Sequence, residues 1–200
     1  MGAANDLTIR QGSTFALTVK YGQPHLAVKA ITDITKSGQA VVTAISHGIP
    51  LNWPVWVVGV GGMSKINHRA DELHVQSAAY YAYYVSTDVV RLDLDTTRYG
   101  SYTSGGELLY NPPVDLTSYT ARMHIRESIT DTTVLSSLTT ENGGITLGGV
   151  SGSIALSIPA VDTAAFTFDC AVYDLEVIDP AGIVTLVMYG AVELLKEVTR

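Results

Sequence analysis

A period of two constrains this chain more than any other feature. In STFALTVKY, Phe15, Leu17 and Val19 alternate with Thr14, Thr18 and Lys20. In SYTARMHIRE, Tyr119, Ala121, Met123 and Ile125 alternate with Thr120, Arg122, His124 and Arg126. SGSIALSIP and CAVYDLEVI repeat the pattern through Ile154, Leu156, Ile158 and Ala171, Tyr173, Leu175, Val177. Successive side chains of a strand point to opposite faces, so each run is a half-buried strand. Such alternation suits antiparallel sheets with one wet face. Turn signals separate the runs: Asn142-Gly143-Gly144, Gly148-Gly149, Gly152 and Asp179-Pro180-Ala181-Gly182. No apolar stripe of helical period persists for three turns. One short helix is expected at residues 161–166, with Asp162 as its N-cap. Strands broken by frequent turns predict a sandwich or barrel.

Residues 28–108 differ from their flanks. They hold Trp53, Trp56 and six of the 11 tyrosines, and carry −1 of the net charge of −7. Short strands are expected at 40–45, 55–60, 73–78, 82–86 and 89–94. Each buries little alone, which predicts a small closed or curled barrel. Turn-rich sequence brackets the segment: Tyr21-Gly22-Gln23-Pro24 before it, Asn111-Pro112-Pro113 after it. The expected fold is therefore all-β. A sandwich is built discontinuously from residues 1–24 and 110–200, and a small β-domain at 25–109 is inserted into it.

Composition narrows the function classes. Twelve basic against 19 acidic residues disfavour a sequence-independent nucleic-acid binder. One cysteine excludes an intrachain disulfide and a cysteine-built zinc site. MGAANDLTIR lacks the apolar core of a signal peptide, and no apolar run reaches the ~18 residues of a membrane span.

Two strings carry resemblances. PVDLTSYTARMHIRES, GITLGGVSGSIALSI, DTAAF and VYDLEVIDPAGIVTLVMYGAVELLKEVTR, with the opening NDLTIRQGSTFALTV, resemble small structural proteins of tailed phages. The VDLT-x-YTARM-x-IR portion is similar to the Ig-like N-terminal domain of phage baseplate upper proteins. This likeness covers residues 5–21 and 113–200. The inserted segment resembles a phage module similar to the first catalytic cysteine half-domain of ubiquitin-activating enzymes. It does so through His47-Gly48, Val55, Gly59, Gly62-Met63, Asn67, Tyr99, Tyr102 and Ser104-Gly105-Gly106. The segment contains no cysteine, since Cys170 lies outside it, so the likeness implies a β-fold and a phage context rather than an activity.

Candidate chemistry is sparse. His47-Gly48 reads as a turn whose imidazole bonds the loop, with Gly48 at positive φ. His68, Asp71, Glu72 and His74 are the densest metal-competent cluster, but HRADELH lacks ligand spacing and reads as a charged edge strand. Gly59–Met63 reads as a hairpin turn rather than a phosphate cradle. Cys170 reads as a buried or half-buried structural thiol. No enzyme, cofactor or metal is expected.

Tyr80-Tyr81-Ala82-Tyr83-Tyr84 puts Tyr81 and Tyr83 on one strand face, Tyr80 and Tyr84 on the other. Interface contact, barrel packing and stacking on sugars all fit that run. Residues 183–198 are apolar without a clean polar face, which implies cover on both sides and makes Val187 and Tyr189 interface candidates. Val187→Glu is expected to spare folding and block assembly. The resemblance implies a non-enzymatic virion component of the tail, baseplate or fibre-attachment region, assembled in the host bacterial cytoplasm. Its expected partners are other virion structural proteins, in a homo-oligomeric ring or collar, with no nucleic acid and no membrane. The alternatives are a receptor- or glycan-binding module, and a capsid-surface or head-fibre accessory.

Overall fold

The computed structural model describes residues 3–84 and 86–198, with Tyr84 described by its backbone. The chain is all-β. It opens with β1 (Ala3–Ala4), β2 (Leu7–Arg10) and β3 (Phe15–Lys20). Next come β4 (Ala27–Ala30), β5 (Asp33–Thr35), β6 (Val41–Thr43), β7 (Trp53–Val58), β8 (Tyr80–Tyr84), β9 (Val89–Leu92) and β10 (Glu107–Tyr110). It ends with β11 (Thr120–Arg126), β12 (Ser136–Thr139), β13 (Ile145–Leu147), β14 (Ser153–Ile158), α1 (Ala160–Ala164), β15 (Cys170–Ile178) and β16 (Val184–Leu195). The backbone divides into two compact units: Met1–Tyr21 with Val114–Arg200, and Gly22–Pro113.

The first unit is a sandwich. One sheet runs β1-β16-β15-β11-β12, with β2 also on β16; the facing sheet is β13-β14-β3. The alternating residues read from the sequence fill a single core between them. Met123, Ile125, Leu175, Ile154 and Leu156 are each at most 1% exposed. β16 is the spine. It pairs antiparallel with β15 along one edge and parallel with β1 and then β2 along the other. The gap between β1 and β2 is bridged locally. The Asn5 N–H donates to the Tyr189 carbonyl, and the Ala191 N–H donates to Asp6 Oδ1 at 2.9 Å. The Tyr173 hydroxyl donates to the Asn5 carbonyl at 2.6 Å. Gly190 makes this approach possible, because a Cβ there would stand 2.3 Å from the Asn5 carbonyl oxygen.

The short helix forms as α1, one residue earlier than expected, and Asp162 does not cap it. Pro159 holds the N-cap position, with no side-chain capping bond. The helix is tied down by buried Thr163 instead, whose hydroxyl donates to the Ser13 and Ala160 carbonyls.

The second unit is one antiparallel sheet in the order β4-β10-β7-β8-β9-β6-β5. Its two edge strands, β4 and β5, are consecutive in sequence, separated only by Ile31 and Thr32. Ile31 donates to the Gly106 carbonyl beside β10, and Thr32 donates to the Thr43 carbonyl of β6, both at 2.9 Å. Neighbouring residues thus bond to opposite ends of the sheet, and the sheet curls until a single bent stretch of chain serves both edges. The interior holds Trp53, Val55, Val57, Val42, Val90, Leu92 and Leu108, a core separate from that of the sandwich.

The expected strand at 73–78 is absent. Residues 64–78 form three short 3-10 turns, at Ser64–Ile66, Ala70–Glu72 and Gln76–Ala78. They serve β7, which is buried on both faces. Trp56 points away from the barrel interior, is 1% exposed, and donates its indole N–H to the Val75 carbonyl. A strand at 73–78 would leave that indole in water.

The ends of the second unit are paired. Gly22 and Pro113 form an antiparallel bridge, and Gln23 N–H donates to the Pro112 carbonyl at 2.7 Å. Within the sandwich, Val114 N–H donates to the Tyr21 carbonyl at 3.0 Å. The two chain ends that remain on removing Gly22–Pro113 are therefore already adjacent, and a short Gly-Ser turn can join them. That deletion is expected to leave a sandwich that melts cooperatively by circular dichroism. An aggregated or non-cooperative product would show that the two cores depend on each other.

Candidate functional site

The residues with the most chemical potential in the sequence are occupied in holding backbone. His47 is 1% exposed. Its Nδ1 accepts the Ile49 N–H at 2.9 Å, so the proton sits on Nε2, which donates to the Ser86 carbonyl at 3.0 Å. Gly48 follows at φ 66°, as a tight turn requires.

His68 has a related task. β7 pairs with β8 only at residues 53–55, so Val57 has no strand on that side. His68 replaces it: its Nδ1 accepts the Val57 N–H at 3.0 Å and its own N–H donates to the Val57 carbonyl at 2.7 Å. Asn67 repeats the device. Its side chain accepts the Val60 N–H at 2.8 Å and donates to the Val60 carbonyl at 3.0 Å. His68 Nε2 donates to the Ala78 carbonyl, and the ring lies 4.4 Å from that of Tyr80.

The remainder of HRADELH is a turn, not the edge strand expected. A Glu72 carboxylate oxygen accepts the Arg69 N–H at 2.6 Å, and His74 sits at φ 68° against Trp56. Among the described residues no group of three His, Cys, Asp or Glu is placed to hold a metal ion. Gly59–Met63 forms a turn that bridges Gly61 to Ser104. Gly62 and Gly100 meet there so closely that a Cβ on either would strike a backbone oxygen, at 2.1 Å and 2.4 Å. Cys170 is exposed, contrary to the buried thiol expected. It lies on the outward phase of β15, opposite Glu193.

The tyrosine run divides as strand parity requires. Ala82 is fully buried and Tyr80 packs against the barrel core, with its hydroxyl donating to the Ile66 carbonyl. Tyr81 and Tyr83 point outward and are 38% and 39% exposed. Tyr83 pairs with Arg91, and Tyr81 N–H donates to Asp93. The Tyr84 side chain lies outside what the structure describes.

The C-terminal strand corrects one candidate. The register against β15 slips between Leu175 and Glu176: Leu175 faces Met188 and Glu176 faces Leu186. Val187 is the extra residue of a β-bulge. The bulge turns two adjacent residues, Val187 and Met188, into the core, where they are 7% and 5% exposed. Val187 is therefore core and not interface. The outward residues include Val184, Leu186, Tyr189 and Leu195, all between 37% and 45% exposed, with exposed Ala191 and Glu193 between the last two. Tyr189 points outward. Leu186 was hidden because a strict two-residue count carries past the bulge.

This outward face is graded across the sheet. β11 supplies Arg122, His124 and Arg126; β15 supplies Glu176, Asp174 and Val172; β16 supplies Leu186, Tyr189 and Ala191 in the matching positions. Arg122 pairs with Glu176 at 2.7 Å. Beside the apolar column lies a groove of about 430 Å³ lined by Arg126, Ile129, Val172, Leu186 and Tyr189. Ile129 is 89% exposed at its rim.

Two phenols report on packing. Burial, reinforced by the nearby Asp6 carboxylate, pushes the Tyr173 hydroxyl up to about 12. Burial, then the Tyr99, Glu72 and Asp93 charges, pushes Tyr80 up to about 12. An unfolded tyrosine ionises near ~10 and therefore releases its proton first. The stability held in these neutral phenols is intact below about pH 10 and is lost as pH rises through about 12. Tyr80→Phe and Tyr173→Phe should each flatten the alkaline unfolding curve, and each should remove one late-titrating group from the tyrosinate absorbance of the parent protein.

No family model matches this chain, and no curated protein matches it either.

Proposed function

We propose that the protein is a non-enzymatic structural component of a tailed-phage virion, in the tail, baseplate or fibre-attachment region. It docks on a neighbouring virion protein through the outer face of the β16–β15 sheet, as part of a homo-oligomeric ring or collar. The observation that carries this reading is the exposed apolar column Val184, Leu186, Tyr189 and Leu195, with the groove at its side. Clustered apolar surface on an outward face often marks a contact. The phage setting rests on the resemblance of the sandwich strings and the inserted segment. The non-enzymatic reading draws on His47, His68 and Glu72, each of which is bonded to backbone.

Leu186→Glu combined with Tyr189→Ala should leave melting within about 1 kcal/mol of the parent, as exposed positions usually do. The same double variant should be missing from purified virions by immunoblot. Val187→Glu should instead unfold the sandwich, because it buries an unpaired carboxylate. Normal incorporation of the double variant would reject the docking face. The same face could serve a capsid-surface or head-fibre accessory, and the density of the protein in a virion map distinguishes the two positions.

A second reading rests on Tyr81 and Tyr83, which stand side by side on one outward face of β8 with Arg91 opposite Tyr83. Aromatic faces flanked by a polar group suit a sugar ring. On this reading the purified protein binds a glycan array and Tyr83→Ala removes the signal. An array without signal for the parent protein would eliminate it.

A further inference from the structure

β3 closes one end of the β13-β14-β3 sheet, with β14 on one side only. Among the described residues, β3 is the longest edge strand, at six residues. The other edges are β1 and β2, β12, β13, β4 and β5, all of four residues or fewer. Native proteins shorten, bulge or charge their edges, or put proline in them, to prevent pairing. β3 has no proline or bulge, and its single charged residue, Lys20, is the last.

Burial differs between β3 and its neighbour. On the neighbouring strand β14, Ile154, Leu156 and Ile158 are at most 2% exposed. Their register partners on β3, Val19, Leu17 and Phe15, pack on the same core yet remain only half-buried. Hydrogen-bond phase shows which backbone groups face outward. Tyr21 N–H donates to the Gly152 carbonyl, so Tyr21, Val19, Leu17 and Phe15 direct their backbone toward β14. Ser157 N–H, opposite Ala16, turns away from β3 to the Gly144 carbonyl, which agrees. Ala16 and Thr18 therefore present N–H and C=O to the open side, and both are exposed.

We propose that a second copy of this chain adds its own β3 to this edge, antiparallel, about a twofold axis through Leu17. The strand is self-complementary in that register. Ala16 exchanges both backbone bonds with the partner's Thr18, and Thr18 with the partner's Ala16. On the core side Leu17 meets the partner's Leu17, and Phe15 meets the partner's Val19. On the outer side Lys20 falls opposite the partner's Thr14, so no like charges face each other. The two three-stranded sheets become one continuous sheet. This interface is isologous, unlike the head-to-tail contact of a ring, and it stands whether or not the virion reading holds.

Sedimentation equilibrium of the full chain tests it. The parent protein should sediment at twice the chain mass, and Thr18→Pro at the single-chain mass with its melting transition retained. Proline at position 18 removes only the outward N–H, and edge strands accept it there. A crosslink tests the register independently, should the proline variant fail to fold. In a Cys170→Ser background, Leu17→Cys should oxidise to a disulfide-linked dimer. Directly opposed residues in a non-hydrogen-bonded antiparallel pair have the Cβ separation a disulfide needs. Thr18→Cys in that background should stay unlinked. A parent protein of single-chain mass or of more than two chains, a dimer that survives Thr18→Pro, or linkage through position 18 and not 17, would overturn the proposal.

Discussion

Every backbone N–H and C=O buried along a strand needs a partner, and most of this structure is an answer to that requirement. Helices satisfy it internally; strands export it to their edges. The sixteen strands of the described residues have many edges to settle. The inserted unit settles two of them by continuity, since the bend at Ile31-Thr32 makes one stretch of chain serve both ends of the sheet. Where β8 stops short of Val57, the sheet is continued by side chains. His68 and Asn67 each offer an acceptor and a donor to a single residue of the exposed strand. An imidazole and a carboxamide thus replace peptide groups.

The sandwich meets the same demand along β16. β15 lines one side of this twelve-residue strand, and the N-terminal chain lines the other from Met188 to Leu195 in two pieces. The join between them is the point of highest constraint. Asn5 and Asp6 leave the ladder there, and Asp6, Tyr173 and the bare Cα of Gly190 supply what the ladder loses. The bulge at Val187 belongs to the same region. It re-phases β16 so that Val187 and Met188 both fill the core, and it leaves Leu186 and Tyr189 pointing outward on either side. The apolar outer column is thus a consequence of how the strand keeps its inner face full.

Residue patterning made the all-β class legible because a period of two survives in four long runs. Phe15–Lys20, Thr120–Arg126, Ser153–Ile158 and Cys170–Ile178 all lie where alternation put them. Three features escaped it. The 73–78 segment has strand-like residues but covers Trp56 in 3-10 turns, and local sequence does not reveal which outward indole needs a lid. Cys170 alternates with the core and stands in the outward phase, which the run CAVYDLEVI already implies when counted from Ala171. Val187 failed because a bulge is a register event between two strands, invisible in either one. The residues there, Leu186-Val187-Met188-Tyr189, are apolar throughout and carry no local mark of it.

The metal-like cluster shows why side-chain inventory alone misleads. Histidine is chosen as a ligand for its lone pair and as a switch for its proton. At His68 both are used at once on peptide groups: the lone pair on Val57 N–H, the proton on the Ala78 carbonyl. A ring spent this way is structural however many carboxylates surround it. The residues that remain uncommitted are of another kind: Leu186, Tyr189, Tyr81 and Tyr83 on outward faces, and the backbone of Ala16 and Thr18 on an edge. On those outward faces and on that edge rest the docking, the sugar stacking and the strand pairing proposed above.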